Sequence, residues 1–149
     1  MPAAKGFRVS AHSVHSLHAH LVFAPKYRRK VITQRVFETM RVAWRQVCEP
    51  LGVILTETNF EGDHVHLLLS YPPKVALSTL VQRLKGTSAR RVRAFRFPEV
   101  TRYLWGKHFW SESYCVVSCG GAPLEVIARY VRSQAGAPPI PGGGASPPA

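Results

Sequence analysis

Residues 53–71 read VILTETNFEGDHVHLLLSY: two β-forming runs, "VILTETNF" and "HVHLLLSY", separated by the short "EGD". Runs rich in branched and aromatic side chains, joined by a glycine-containing turn, close into a β-hairpin. A hairpin in mid-chain leaves few topologies for the segments on either side. It also raises a chemical question, because His64 and His66 open its second strand. Strand side chains alternate, so the two imidazoles project together while Val65 faces the other way. They are either a metal-gripping pair or two hydrogen-bonded histidines on a wet sheet face, and an H-x-H taken alone leaves both readings open.

Before the hairpin, "HSLHAHLVFAPKY" alternates Leu17, Ala19, Leu21 and Phe23 on one face, the pattern of a half-buried strand that Pro25 ends. "TQRVFETMRVAWRQVCEPLG" then carries Val36, Phe37, Met40, Ala43, Trp44, Val47 and Leu51 at helical spacing. Thr33 suits the N-cap, and Pro50 and Gly52 the stop. After the hairpin, "VALSTLVQRLKGTSARRVRAFRF" places Leu77, Leu80, Val81, Leu84, Ser88, Val92 and Phe95 on one side of a second helix that Gly86 could bend. "HFWSESYCVVSC" supplies another strand. "GGAPLEVIARYVRSQAG" supplies a last helix, with Pro123 in its first turn and Gly136 at its exit. The first six elements, β-α-β-β-α-β, define an α+β, ferredoxin-like fold: an antiparallel sheet with helices on one face, here extended by a C-terminal helix. Residues 1–134 make one domain. The stretch 135–149, "AGAPPIPGGGASPPA", reads as a disordered tail.

The charge balance narrows the partner. Twenty Lys and Arg against eight Asp and Glu give a formal net charge of +12, which points to a polyanion, nucleic acid ahead of an anionic membrane. No apolar run approaches the roughly 18 residues of a membrane span, and the leader has no secretory apolar core, so a cytoplasmic protein is expected. Cys48, Cys115 and Cys119 form neither a disulfide framework nor a zinc ribbon. Candidate phosphate contacts are Lys26, Arg28, Arg29 and Lys30 in "PKYRRK", and Arg83, Lys85, Arg90 and Arg91 on the second helix, where Arg93 and Arg96 add to the basic surround. Tyr27, Phe109 and Trp110 are candidates for base stacking, with core packing the commoner role for such residues. His12, His15, His18 and His20 read as a polar strand face, His108 receives no role, and Asp63 shapes the hairpin turn.

In the last helix Leu124, Ile127, Ala128 and Val131 form a packing face, with Tyr130 and Gln134 one turn apart on its flank; taken alone, such a pair is more commonly an amphipathic tyrosine beside a solvent glutamine, and only in combination with the histidines does it point to a site. Two imidazoles and an amide carbonyl would half-fill a coordination sphere, leaving positions for water and phosphate oxygens on Mg²⁺ or Mn²⁺. A tyrosine hydroxyl beside such an ion would be a natural nucleophile toward a phosphodiester. Gly120 and Gly121 just upstream could serve as a hinge.

From His18 to Gln134 the chain resembles the HUH-motif, single-tyrosine transposases of small bacterial insertion sequences and their domesticated relatives. The resemblance rests on "FAPKYRRKV", "GDHVHLLLSYPP", "LVQRLKGTSARRVR", "WGKHFWSESYCV" and "RYVRSQ", in that order. It implies a metal-dependent enzyme that cuts and rejoins single-stranded DNA at hairpin-marked ends, acting as a homodimer with shared active sites. Position by position, it implies that His64, His66 and Gln134 bind the metal and Tyr130 is the nucleophile. Many relatives read "YIENQ" where this chain has "YVRSQ", which keeps both functional residues and adds Arg132. The rival reading is a non-catalytic RNA- or DNA-binding module on the same fold. A histidine-triad hydrolase is disfavoured, because Leu68 stands where the third histidine is needed.

Overall fold

The computed structural model describes residues 7–104 and 106–118; the predicted last helix, with Tyr130 and Gln134, the Gly120–Gly121 hinge and the tail lie outside them. Two short strands, β1 (Arg8–Val9) and β2 (Val14–His15), pair antiparallel in the polar leader, ahead of the first strand expected from the sequence. Arg8 pins them to the main body, donating from Nη2 to Gly52 O at 2.7 Å. The central elements follow as β3 (His18–Phe23), α1 (Gln34–Cys48), β4 (Ile54–Glu61), β5 (His64–Ser70), α2 (Leu77–Phe95), the one-turn α3 (Pro98–Thr101) and β6 (Cys115–Ser118).

The sheet order is β4-β5-β3-β6, every neighbouring pair antiparallel. Sequence neighbours β3 and β4 are separated by β5, and β5 and β6 by β3, so each helix is the crossover of a split β-α-β unit. This is the expected ferredoxin-like α+β arrangement. Ala19, Leu21 and Phe23 of β3 and Val65, Leu67 and Leu69 of β5 turn toward α1 and α2, which pack against each other and complete the core with Val36, Met40, Trp44, Leu80, Val81 and Leu84. Thr33 caps α1, its Oγ1 accepting from Val36 N, and the helix exits through a 3-10 turn (Glu49–Leu51) into Gly52 at φ 70°. Cys48 lies in this core, and burial pushes its thiol pKa up to about 12.

Four local expectations change. Strand β3 is buried on both faces rather than half-buried. Helix α2 runs through Gly86 as a single helix, and Phe95 leaves the core stripe, 57% exposed and stacked on Phe97 with ring centroids 5.4 Å apart. Helix α3 is too short to leave a periodic signal. The strand expected from His108 begins as a regular element only at Cys115, because Trp110 is drawn into the core, donating from Nε1 to Lys85 O and Ser88 Oγ at 3.1 Å each.

Candidate functional site

The face of the sheet turned away from the helices carries the histidines. His18, His20 and Val22 alternate out of β3, and His64, His66, Leu68 and Ser70 out of β5, with Val22 opposite His66 and Leu68 opposite His20. His66 is therefore the diagonal neighbour of His20. His64 and His66 are each 2% exposed, so the pair does not lie on a wet sheet face, although both rings are hydrogen-bonded. Their ring centroids are 4.8 Å apart and their planes nearly perpendicular, at 78°.

Each imidazole is held by its Nδ1. His64 Nδ1 donates to Asp63 Oδ1 at 2.7 Å, and the other carboxylate oxygen takes Arg28 Nη2 at 2.8 Å. Burial alone would raise the Asp63 pKa, but the His64 hydrogen bond and the Arg28 charge outweigh it and hold the group below its usual value. Asp63 thus stays ionised at neutral pH and fixes the His64 tautomer with its lone pair on Nε2. That Nε2 is buried with no hydrogen-bond partner among the described residues. His66 Nδ1 lies 3.2 Å from His20 Nε2, and the two rings stack at 5.4 Å. Burial lowers the His20 pKa to about 4, so His20 is neutral and can accept. In the tautomer in which His66 Nδ1 is the donor to His20, the His66 lone pair too lies on Nε2.

This donor set fits a divalent cation. Metal-bound histidines characteristically donate their second ring nitrogen to a carboxylate or another acceptor, which orients the ring and raises its basicity. A buried imidazole nitrogen without a partner is costly unless something occupies it. Among the described residues no group of three His, Cys, Asp or Glu side chains gathers as a complete site, so the pair would need further ligands. Asn59 of β4 stands opposite His66, and its Nδ2 is buried without a partner among the described residues. Gln134 and Tyr130 lie outside the described residues.

Sequence reasoning missed Asp63 and His20 as supports for the pair. The adjacency in "GDHVH" was the available signal for Asp63. For His20 there was none, since the contact depends on the β3–β5 register across 46 residues. His15 and His18 bond instead to Ser13 Oγ and Ser16 Oγ, at 3.1 and 3.2 Å.

The candidate phosphate contacts divide. Arg29 and Lys30 are exposed in the turn after β3, beside Tyr27, which is 74% exposed and flanked by Lys26 Nζ and the Arg29 guanidinium at 5.8 and 5.9 Å from its ring. Tyr27 and Arg28 take left-handed backbone angles, φ 60° and 51°, costly for non-glycine residues. The Arg28–Asp63 ion pair helps hold that turn, so Arg28 is engaged next to the histidines. On α2, Arg83 and Arg90 are exposed and Arg91 is half-buried, while Lys85 is committed to the fold, donating to Ser111 O at 2.6 Å and Glu112 O at 3.3 Å. Phe109 and Trp110 are core residues. No helix among the described residues is long and apolar enough to cross a membrane.

Fold and site together define a class: a ferredoxin-like α+β domain bearing an oriented H-x-H pair on the sheet face away from its helices. The family model described as "Transposase IS200 like" matches residues 13–134, a span that includes Tyr130 and Gln134. The chain belongs to this family of IS200-like transposases and is an enzyme of DNA transposition. It is 34% identical over 121 residues to the ISDra2 transposase TnpA of Deinococcus radiodurans, covering 81% of this chain and 86% of that one. It is 32% identical over 124 residues to the transposase of insertion sequence element IS200 from Salmonella typhimurium, covering 83% and 80%. A crystal structure of a putative transposase from D. radiodurans superposes with a TM-score of 0.67 at 31% identity, over 85% of this chain and 97% of that one. A REP-associated tyrosine transposase bound to a REP hairpin shares the fold, with a TM-score of 0.58 at 11% identity, over 83% and 67%.

Proposed function

We propose that this transposase cuts and rejoins single-stranded DNA at hairpin-marked ends through a 5′-phosphotyrosine on Tyr130. In this reading Mg²⁺ or Mn²⁺ is held by His64, His66 and Gln134, and the enzyme works as a homodimer with shared active sites. The observation that carries it is the buried pair itself: two imidazoles on one face, each oriented through Nδ1, with His64 Nε2 lacking a partner among the described residues.

The Tyr130 phenol oxygen bonds to phosphorus as the P–O3′ bond breaks. The phenol proton passes to solvent and the departing 3′ oxygen takes one up, so no net proton is exchanged. The products are a 5′-phosphotyrosine and a 3′-hydroxyl. A second 3′-hydroxyl can reverse the step and join a new strand without ATP, because the ester bond is conserved. A phenol with reference pKa of about 10 is a workable nucleophile once deprotonated and a good leaving group in the return step. A divalent ion at the histidine pair supplies charge stabilisation to the in-line phosphoryl transition state. Asp63 and His20 keep the two rings aimed, Gln134, four residues after Tyr130 in the sequence, would couple nucleophile and ligand, and Arg29, Lys30 and Arg83 neutralise backbone phosphates.

The test is a covalent adduct. Incubated with labelled single-stranded DNA carrying element-end hairpins and Mn²⁺ or Mg²⁺, the wild-type protein yields a species that survives a denaturing gel, and Tyr130→Phe yields none. No adduct with any such substrate, or one that persists in Tyr130→Phe, refutes the mechanism.

A further inference from the structure

A groove of about 600 Å³ opens between α2 and residues 107–112, away from the histidine face. Its walls carry Lys85, Arg90 and Arg93 from the helix and Lys107 from the loop, against one carboxylate, Glu112. Lys85 closes one wall through its bonds to Ser111 O and Glu112 O. Arg90 is exposed and makes a long contact to Thr87 Oγ1 at 3.4 Å. Arg93 is the telling member, because its Nη2 is buried and has no hydrogen-bond partner among the described residues, although its side chain lines an open groove. A guanidinium N–H withdrawn from water without an acceptor is unfavourable, and an anionic oxygen in the groove would satisfy it. Gly86 and Ala89 keep the floor low; a Cβ on Gly86 would come within 3.4 Å of Arg90 Nη1.

The groove is joined to the basic turn after β3. Lys26 N donates to Phe109 O and Ser111 N to Ala24 O, each at 2.8 Å, and Pro25 bridges Trp110. The groove wall therefore leaves the sheet at the end where Phe23 pairs with Val65, next to His64 in the chain, and beside the turn bearing Arg29 and Lys30. One polyanionic strand could lie along both.

We infer that this groove is a phosphodiester-binding subsite, separate from the histidine pair, that grips the backbone of the DNA on which the transposase acts, with Arg93 and Lys107 as its phosphate contacts. The groove is open enough to admit a nucleic-acid backbone, and its charge suits a phosphate. The inference rests on DNA being the substrate, but not on the phosphotyrosine mechanism.

The test uses the full chain in EDTA, where binding is read without cleavage. Fluorescence anisotropy with a labelled hairpin-bearing single-stranded DNA, repeated over a range of salt, gives the affinity and its log–log salt slope. The double variant Arg93→Gln, Lys107→Gln is expected to bind about tenfold more weakly, with a slope shallower by about 1 to 2, each lost contact contributing about 0.7–0.9. Its melting temperature and its Mn²⁺ binding by calorimetry stay at wild-type values, and Arg93→Lys recovers part of the slope. Wild-type affinity and slope in a folded double variant overturn the inference, as does a loss that follows a fall in melting temperature and is not recovered by Arg93→Lys. A defect seen only with RNA of the same sequence overturns it too. A missing Tyr130 adduct leaves this readout untouched, so the two proposals fail separately.

Discussion

Ala19, Leu21, Phe23, Val65, Leu67 and Leu69 turn one face of the sheet toward the helices, while His18, His20, His64 and His66 turn the other way, and none of these residues is more than 6% exposed. The helix-side face is held by area: apolar side chains fill space, and many combinations of similar volume would serve. The histidine face is held by individual bonds, Asp63 to His64 and His20 to His66, in which changing one atom leaves another without its partner. Equal dryness therefore does not mean equal purpose. Where a chain buries polar nitrogens and then orients them, it accepts a less stable face in exchange for a site.

The sharpest way to break that contrast is to make one substitution on each face. Leu67→Ala on the helix side is expected to cost about 2–5 kcal/mol of stability, measured by denaturant unfolding, through lost contacts and a residual cavity. His64→Leu on the other side removes a buried nitrogen that has no partner among the described residues, but also the hydrogen bond to Asp63, whose partly exposed carboxylate keeps Arg28, so the stability loss should be smaller than in Leu67→Ala, about 1–2 kcal/mol, while the covalent adduct disappears. A large stability loss in His64→Leu would show that the histidine is a structural residue after all.

A smaller effect belongs to the residue behind His64. Asp63→Asn keeps the shape of the turn but weakens the grip on His64 Nδ1, so Mn²⁺ affinity by calorimetry should fall about 10–100-fold. If affinity is unchanged, Asp63 serves the turn and the Arg28 ion pair alone.

The smallest effect lies on the helix side, where Glu99 of α3 accepts from Arg35 Nε and Thr33 Oγ1, each at 2.7 Å, tying α3 to the start of α1. The Arg35 hydrogen bond, against opposing burial, brings the Glu99 pKa from 4.5 down to about 2. A carboxylate with a depressed folded pKa contributes stability that is present above its unfolded value and lost as pH falls through the folded one. The difference in melting temperature between wild type and Glu99→Gln should therefore be full above about pH 4.5 and close as pH falls toward 2. A difference that stays constant across that range would assign Glu99 a packing role instead.

The same two faces explain what could be read from the residues alone. The hairpin, the Thr33 cap, the Gly52 stop and the shared orientation of His64 and His66 are local consequences of spacing and turn chemistry, and all are present in the structure. The core stripes of α1 and α2 follow from helical period, with Phe95 escaping because it falls in the last turn before Arg96 reverses into left-handed geometry at φ 52°. Contacts set by register left no such trace. His20 reaches His66 only once β3 and β5 have aligned, Arg28 reaches Asp63 across 35 residues, and Trp110 is claimed by α2 before it can extend β6. The groove beside Arg93 belongs to this second kind, since helix α2 alone shows a basic face and nothing of the wall opposite.

The central claim is that the histidine face seats a divalent ion, and Mn²⁺ bound to the intact chain tests it most directly. Pulsed electron paramagnetic resonance should detect nitrogen couplings from two imidazoles in the wild-type protein and from one in His64→Leu. A Mn²⁺ signal without nitrogen coupling, or couplings unaltered by His64→Leu, would contradict the claim.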